Sequence, residues 1–383
     1  MLKTRIEIGI VAVLGMVALL VACAPAAAPT ATPAPKAAAT APSAPATAAA
    51  PAAAPSAAAA TPSKPSALEQ LIEGARKEGL IKASLPSTLD EKDAQRLVQA
   101  MNAKYNLDLK LEFTPNAKMT GTAAQLMTEL KTGGTPSWDV VVGTPRHFVE
   151  MARQGLLSTY DWTANFSYIP KEAVLLNGSY VGFAGEFYVP VYNTNLVKPE
   201  DAPKKWEDLI DPKWKGKIVA HNSASVWVQL TEFWGEARVT SLVDGLARQQ
   251  PTFVNLPQVT ARIGSGEYPL GSNADPGDVF VNQGRGAPIG FANDVKPVIA
   301  EFFGLVAPQR AQHPSAAALF IAFQLTPEAQ KIWWEGSKWG APFLPGPISD
   351  WLKGKELAYV TVDFLQKDGQ RLEDKYLKTL GLK

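Results

Sequence analysis

Leu80-Ile81-Lys82-Ala83-Ser84-Leu85-Pro86-Ser87-Thr88-Leu89-Asp90-Glu91 contains the change of period that decides the fold. Residues 80–84 read as a short buried strand. Thr88-Leu89-Asp90-Glu91 then has capping-box spacing, in which a hydroxyl and a carboxylate satisfy the first free N–H groups of a helix. The helix it opens carries Leu97, Val98, Met101 and Tyr105 on one stripe. Upstream, Ser66-Ala67-Leu68-Glu69 repeats the signature, and Leu68, Leu71, Ile72 and Ala75 share a face that ends before Gly79. Downstream, strands are expected at 107–113 and 138–142, and helices at 122–131 and 147–154. Strand and helix alternate with crossovers long enough for parallel pairing, so the fold class is α/β, a sheet wound by helices.

In such sheets ligands collect outside the carboxyl ends of the strands, beside helix N-termini. The corresponding loops are Leu85-Pro86-Ser87-Thr88, Thr114-Pro115-Asn116 and Gly143-Thr144-Pro145-Arg146. Arg146 stands in a helix first turn, where a cation opposes the helix dipole. It either serves an anionic ligand group or is a solvated surface arginine.

Ahead of the α/β pattern the chain is of another kind. Lys3 and Arg5 precede an apolar run over 8–21, too short to span a bilayer, and a small residue precedes Cys23, the single cysteine. This is the pattern of a secretory signal, and Leu20-Val21-Ala22-Cys23 resembles the bacterial lipobox, which implies lipidation of Cys23. Residues 24–65 are mostly Ala and Pro, with no large apolar side chain to bury, and read as a disordered tether. The folded part, 66–383, exceeds a usual single domain, so two lobes are expected. With 37 basic and 36 acidic residues and a formal net charge of +1, no polyanionic partner such as nucleic acid is indicated. One cysteine excludes an internal disulfide.

Residues 181–193 are rich in β-formers and look like strands leaving the first lobe. Tyr192-Asn193-Thr194-Asn195-Leu196-Val197 follows, then Lys205-Trp206-Glu207-Asp208-Leu209 and Asp211-Pro212-Lys213-Trp214-Lys215-Gly216-Lys217-Ile218. With the later His313-Pro314 to Gln330 stretch and Ala75-Arg76-Lys77-Glu78-Gly79-Leu80, these resemble landmarks of the extracellular solute-binding proteins of bacterial ABC importers, of the ferric-iron, polyamine and thiamine type. The resemblance implies the two-lobed periplasmic-binding-protein type II fold, each lobe a mostly parallel sheet flanked by helices, with hinge strands between. It implies a ligand held in the cleft by hinge closure and a membrane permease as partner. The expected division is 1–22 signal peptide, 23–65 lipidated cysteine and tether, 66–188 with 293–345 as one lobe, and 189–292 with 346–383 as the other. Trp206, Pro212 and Trp214 read as packing and turn positions.

In the second lobe His221-Asn222-Ser223-Ala224-Ser225 lies between a strand at 218–220 and a helix. It is either an anion or carbonyl site or an ordinary cap. Trp227 in that helix can offer a stacking face, as can Tyr192. Ser272-Asn273-Ala274-Asp275-Pro276-Gly277-Asp278 stands where the iron-binding branch carries adjacent tyrosines. No tyrosine pair is present, which puts ferric iron in doubt. Asn273, Asp275 and Asp278 suit an amine, a hard cation, or a plain turn. Residues 287–292 are expected to return as a strand toward the first lobe, and 314–330 as an amphipathic helix pair. Trp333, Trp334 and Trp339 read as a core edge rather than an aromatic cage.

Enzymatic signatures are missing. His147, His221 and His313 have no metal-ligand spacing, and there is no P-loop, no Gly-x-Ser-x-Gly elbow and no Cys/His pair. The expectation is a monomeric, non-enzymatic, lipid-anchored extracytoplasmic receptor with no cofactor and no resident metal. It would bind a small polar molecule or ion through Ser87, Thr88, Arg146, Tyr192, Ser223, Ser225, Trp227, Asn273 and Asp275. The alternatives are a ferric-iron receptor of the same family and a lipid-anchored hydrolase.

Overall fold

The computed structural model describes residues 66–383. The signal, Cys23 and tether expectations lie outside the described residues. The strands are β1 (Leu80–Pro86), β2 (Lys110–Asn116), β3 (Val140–Gly143), β4 (Val174–Leu175), β5 (Tyr180–Asn193), β6 (Ile218–His221), β7 (Thr252–Val254), β8 (Leu270–Ala274), β9 (Ile289–Phe291), β10 (Val298–Val306) and β11 (Leu357–Tyr359). They form one curled sheet along β2-β1-β3-β10-β5-β8-β6-β7. β1 pairs in parallel with β2 and β3, and β6 in parallel with β7 and β8, so each end of the sheet is a small parallel unit.

Two antiparallel strands join those units. β10 pairs with β3 and β5, and β5 continues onward to pair with β8 and β9. One extensive core gathers the first lobe, with Ile81, Leu97, Met101, Phe320 and Trp333 buried. Another gathers the second, with Trp206, Ile218, Leu230, Leu246 and Tyr376. The architecture is the two-lobed α/β fold that the landmarks implied.

Local signals explain the elements. Ser66 caps the helix Ala67–Glu78 through the expected capping box. The next helix begins later than Thr88: Asp90 is its cap, accepting from the Asp93 N–H, and the helix runs Glu91–Tyr105. A carboxylate competes well for that position, and Leu89 is buried in the turn before it. The strand expected at 287–292 is β9, which pairs with the second-lobe end of β5. The strand that returns to the first lobe is β10, unforeseen because its apolar run has no period to mark it. The helix Pro314–Phe323 is buried nearly all round rather than amphipathic, lying between Ala67–Glu78 and β1.

At the crossing of β5 and β10 one glycine has a specific task. Gly304 sits at a register shift, and a Cβ there would meet the Tyr180 ring at 2.3 Å and the Val181 oxygen at 2.5 Å. The Tyr180 hydroxyl passes over it to donate to the Gly143 and Phe302 oxygens.

Candidate functional site

A cavity of about 580 Å³ opens where the strand-end loops of both lobes face each other over the hinge strands. From the first lobe come Ser87 and Thr88 after β1, Asn116 to Thr120 after β2, and Thr144 and Arg146 after β3. Ser223 and Ser225 come from the second lobe, after β6. Its floor is formed by Glu186 and Tyr188 on β5 and Glu301 and Phe303 on β10. A side recess of about 400 Å³ continues past Arg146 and Glu301 to Gln229 and to Glu373 on the helix Gln370–Thr379.

The sequence-expected residues divide. Ser87, Thr88, Arg146, Ser223 and Ser225 line the cavity; Tyr192, Trp227, Asn273 and Asp275 do not. Trp227 is buried in the second-lobe core, edge-on to Trp206 at 5.8 Å, and Tyr192 is buried in the same core. Asn273 is buried in β8, where its side-chain oxygen accepts from the Ser272 hydroxyl. Asp275 caps the helix Pro276–Gly284 and also accepts from the Phe187 N–H of β5 at 3.0 Å. It therefore ties the hinge strand to the second lobe.

The first-lobe wall is rich in donors. Arg146 is exposed, and among the described residues no carboxylate lies within ion-pair distance of it. His147 beside it is held neutral: burial chiefly, then the Arg146 charge, lowers it to about 4. Its Nδ1 accepts from the Thr144 N–H at 3.0 Å, so its Nε2–H is free to donate to the Thr120 hydroxyl, 3.3 Å away. Asn116 is buried and uses its oxygen for the Lys118 N–H and the Thr122 hydroxyl, leaving its amide nitrogen without a partner among the described residues.

The floor has the opposite character. Glu186 and Glu301 are direct partners across the antiparallel ladder, where like charges repel. Burial chiefly, then the Asp275 charge, raises the Glu186 carboxyl to about 8, although the Tyr188 hydroxyl donates to it. Burial also raises Glu301, against the pull of Arg146, Thr144 and Gln229. Neither glutamate was singled out from sequence. The available signal was a lone carboxylate inside an otherwise apolar strand, as in Val298-Ile299-Ala300-Glu301-Phe302-Phe303. Among the described residues no three His, Cys, Asp or Glu side chains gather as a metal site, and no helix is long and apolar enough to cross a membrane. His221 and His313 do not line the cavity; His313 Nδ1 lies 2.7 Å from buried Asp139.

Two α/β lobes with a polar cavity over crossing strands define a solute-binding protein. The sequence profile of the bacterial extracellular solute-binding protein family matches residues 96–351, and the chain belongs to that family. Iron uptake protein A1 of Synechocystis is 28% identical over 138 residues, a match spanning 33% of this chain and 37% of that relative. A Trichodesmium protein (IdiA, FutA) solved with iron and citrate has a TM-score of 0.63 at 21% identity, covering 80% of this chain and all of that one. The periplasmic binding protein AfuA of Actinobacillus pleuropneumoniae, solved with fructose-6-phosphate, has a TM-score of 0.58 at 21% identity, covering 79% of this chain and 98% of that one. At these identities the structural likeness speaks for the fold.

Proposed function

We propose that the protein captures a small polar solute in the interlobe cavity and delivers it to the membrane permease of an ABC importer. The observation that carries this is the cavity itself, lined from both lobes by hydroxyl-bearing loops around a guanidinium that has no ion-pair partner among the described residues. Closure of the lobes on β5 and β10 would bring Ser87, Thr88 and Arg146 toward Ser223 and Ser225. We take 66–188 with 293–345 and 189–292 with 346–383 as the moving bodies. The protein acts as a monomer outside the cytoplasm, tethered through a lipid on Cys23, and turns nothing over.

An iron cargo draws support from the names of Iron uptake protein A1 and of the iron- and citrate-bound structure. Against it, Tyr188, the one tyrosine lining the cavity among the described residues, donates to Glu186, and Asn273 and Asp275 are engaged in β8 and its following helix. An organic solute suits the cavity better. A thermal-shift screen of the purified protein across amines, amino acids, sugar phosphates, carboxylic acids and ferric citrate tests this. A ligand at a hundred times its Kd stabilises by about 2.7 kcal/mol. Stabilisation by one solute class, weakened by Ser225→Ala, is expected. Silence across the whole panel would sink the receptor reading.

A further inference from the structure

A single side chain separates the interlobe cavity from a second one. The second cavity, of about 410 Å³, is bounded by Leu325, Trp334, Ala341, Leu344 and Ile348, and its walls are mostly apolar. Among the described residues Trp339 alone lines both cavities. It is only 7% exposed, and its ring packs on Phe303 with centres 4.7 Å apart and stacks on Trp333 at 6.1 Å. Phe303 lines the interlobe cavity and Trp334 the apolar one, so the two spaces meet at this aromatic group.

The backbone around Trp339 is fixed independently of its side chain. Lys338 ends the helix Pro327–Ser337 in the left-handed region, at φ 58°, and its N–H donates to the Trp334 oxygen at 3.2 Å. The Gly340 oxygen accepts from the Gly185 N–H of β5 at 3.3 Å, and the Ala341 N–H donates to Gln330 Oε1 at 2.9 Å. What stands between the cavities is therefore side-chain volume, and the residue at this position decides whether they communicate. A dry cavity of about 150 Å³ already holds benzene, so the space behind Trp339 has room for an aromatic ring and the link to it. We propose that Trp339 sets the size limit of the solute by closing the interlobe cavity on its first-lobe side, and that a smaller residue there would admit a solute bearing an apolar extension. This rests on the receptor reading and adds to it the residue that limits what fits.

The test is calorimetric titration of the full chain and of its Trp339→Ala variant with indole. A thermal-shift comparison of solute pairs differing by one benzyl group follows: glutamate and its γ-benzyl ester, serine and O-benzylserine, 1,4-diaminobutane and its N-benzyl derivative. Indole should bind the variant at least roughly tenfold more tightly than the parent chain, the worth of a few buried methylenes. Of a pair that the parent chain recognises, it should take the plain member and reject the benzyl one, and the variant should take both. Trp339→Leu, which opens the wall part-way, carries the same comparisons should the alanine variant fail to fold. Adding Ala341→Leu refills the apolar cavity and should abolish the gain. Equal indole affinity in parent and variant would overturn the assignment, as would a parent chain that binds both members of a pair equally or a gain that survives Ala341→Leu. Should no plain solute stabilise the parent chain in the broader thermal screen, the receptor reading falls, and the indole titration still decides whether Trp339 separates the two cavities.

Discussion

Asp139 and the Glu186–Glu301 pair are both carboxylates withdrawn from solvent, and they are treated in opposite ways. Asp139, 1% exposed, accepts from the Lys82 N–H at 2.9 Å, the His313 N–H at 2.9 Å and His313 Nδ1 at 2.7 Å. It joins β1 to the loop before the helix Pro314–Phe323, and its acceptor capacity is filled from within the protein. Glu186 and Glu301 face each other as like charges at the floor of a cavity, met by the side chains of Tyr188, Thr144 and Gln229 rather than by backbone N–H groups. A saturated carboxylate holds a fold together, whereas an under-supplied one is maintained at some cost in stability and is available to something else.

The comparison can be broken most forcefully at Asp139. Asp139→Ala strands two partly buried backbone N–H groups and an imidazole, and should lower unfolding free energy by about 3 kcal/mol in a denaturant titration. A loss below about 1 kcal/mol would put Asp139 on a level with ordinary surface polar groups. Gly304→Ala probes the crossing that carries the glutamates. The added methyl would push the Tyr180 ring off the Gly143 and Phe302 oxygens, a change in a packed site that costs about 1–3 kcal/mol. Wild-type stability for this variant would show that the crossing yields easily.

The most discriminating variant is Glu186→Gln. The carboxyl at about 8 in the folded chain lies above its unfolded value of about 4.3. Its stabilising share is therefore whole below about pH 4 and is lost as pH rises through about 8. Glutamine cannot ionise, so the variant should melt close to the parent at pH 4.5 and above it at pH 9. A lower melting temperature at pH 9 would mean that the floor carboxylates serve the fold after all.

The legible parts of this protein were those written in local chemistry. The Ser66 capping box, the alternation that produced β1, β2 and β3, and the strand-end loops with Ser87, Thr88, Arg146, Ser223 and Ser225 follow from period and turn residues. The aromatic landmarks were legible too: Trp206 is buried and donates to the Pro297 oxygen, and Trp333 stacks on Trp339 inside the first-lobe core. What stayed hidden depends on contacts distant in the chain. Trp227 and Tyr192 look like stacking faces until the second-lobe core closes over them. Glu186 and Glu301 are 115 positions apart, and only the β5–β10 register makes them neighbours. Glu373 reaches the recess from the last helix, which nothing in its own stretch announces.

That register has an evolutionary corollary. In a strand, slipping by one residue sends a side chain to the opposite face, so both glutamates are held in place by how many residues each strand contains. The strand-end loops are under no such count. A lineage could exchange Ser87, Thr88 or Ser225 one at a time and re-aim the receptor at differently shaped solutes. The carboxylate pair on the floor would be inherited unchanged, because losing it takes either a direct hit on a glutamate or an insertion that the sheet itself would reject.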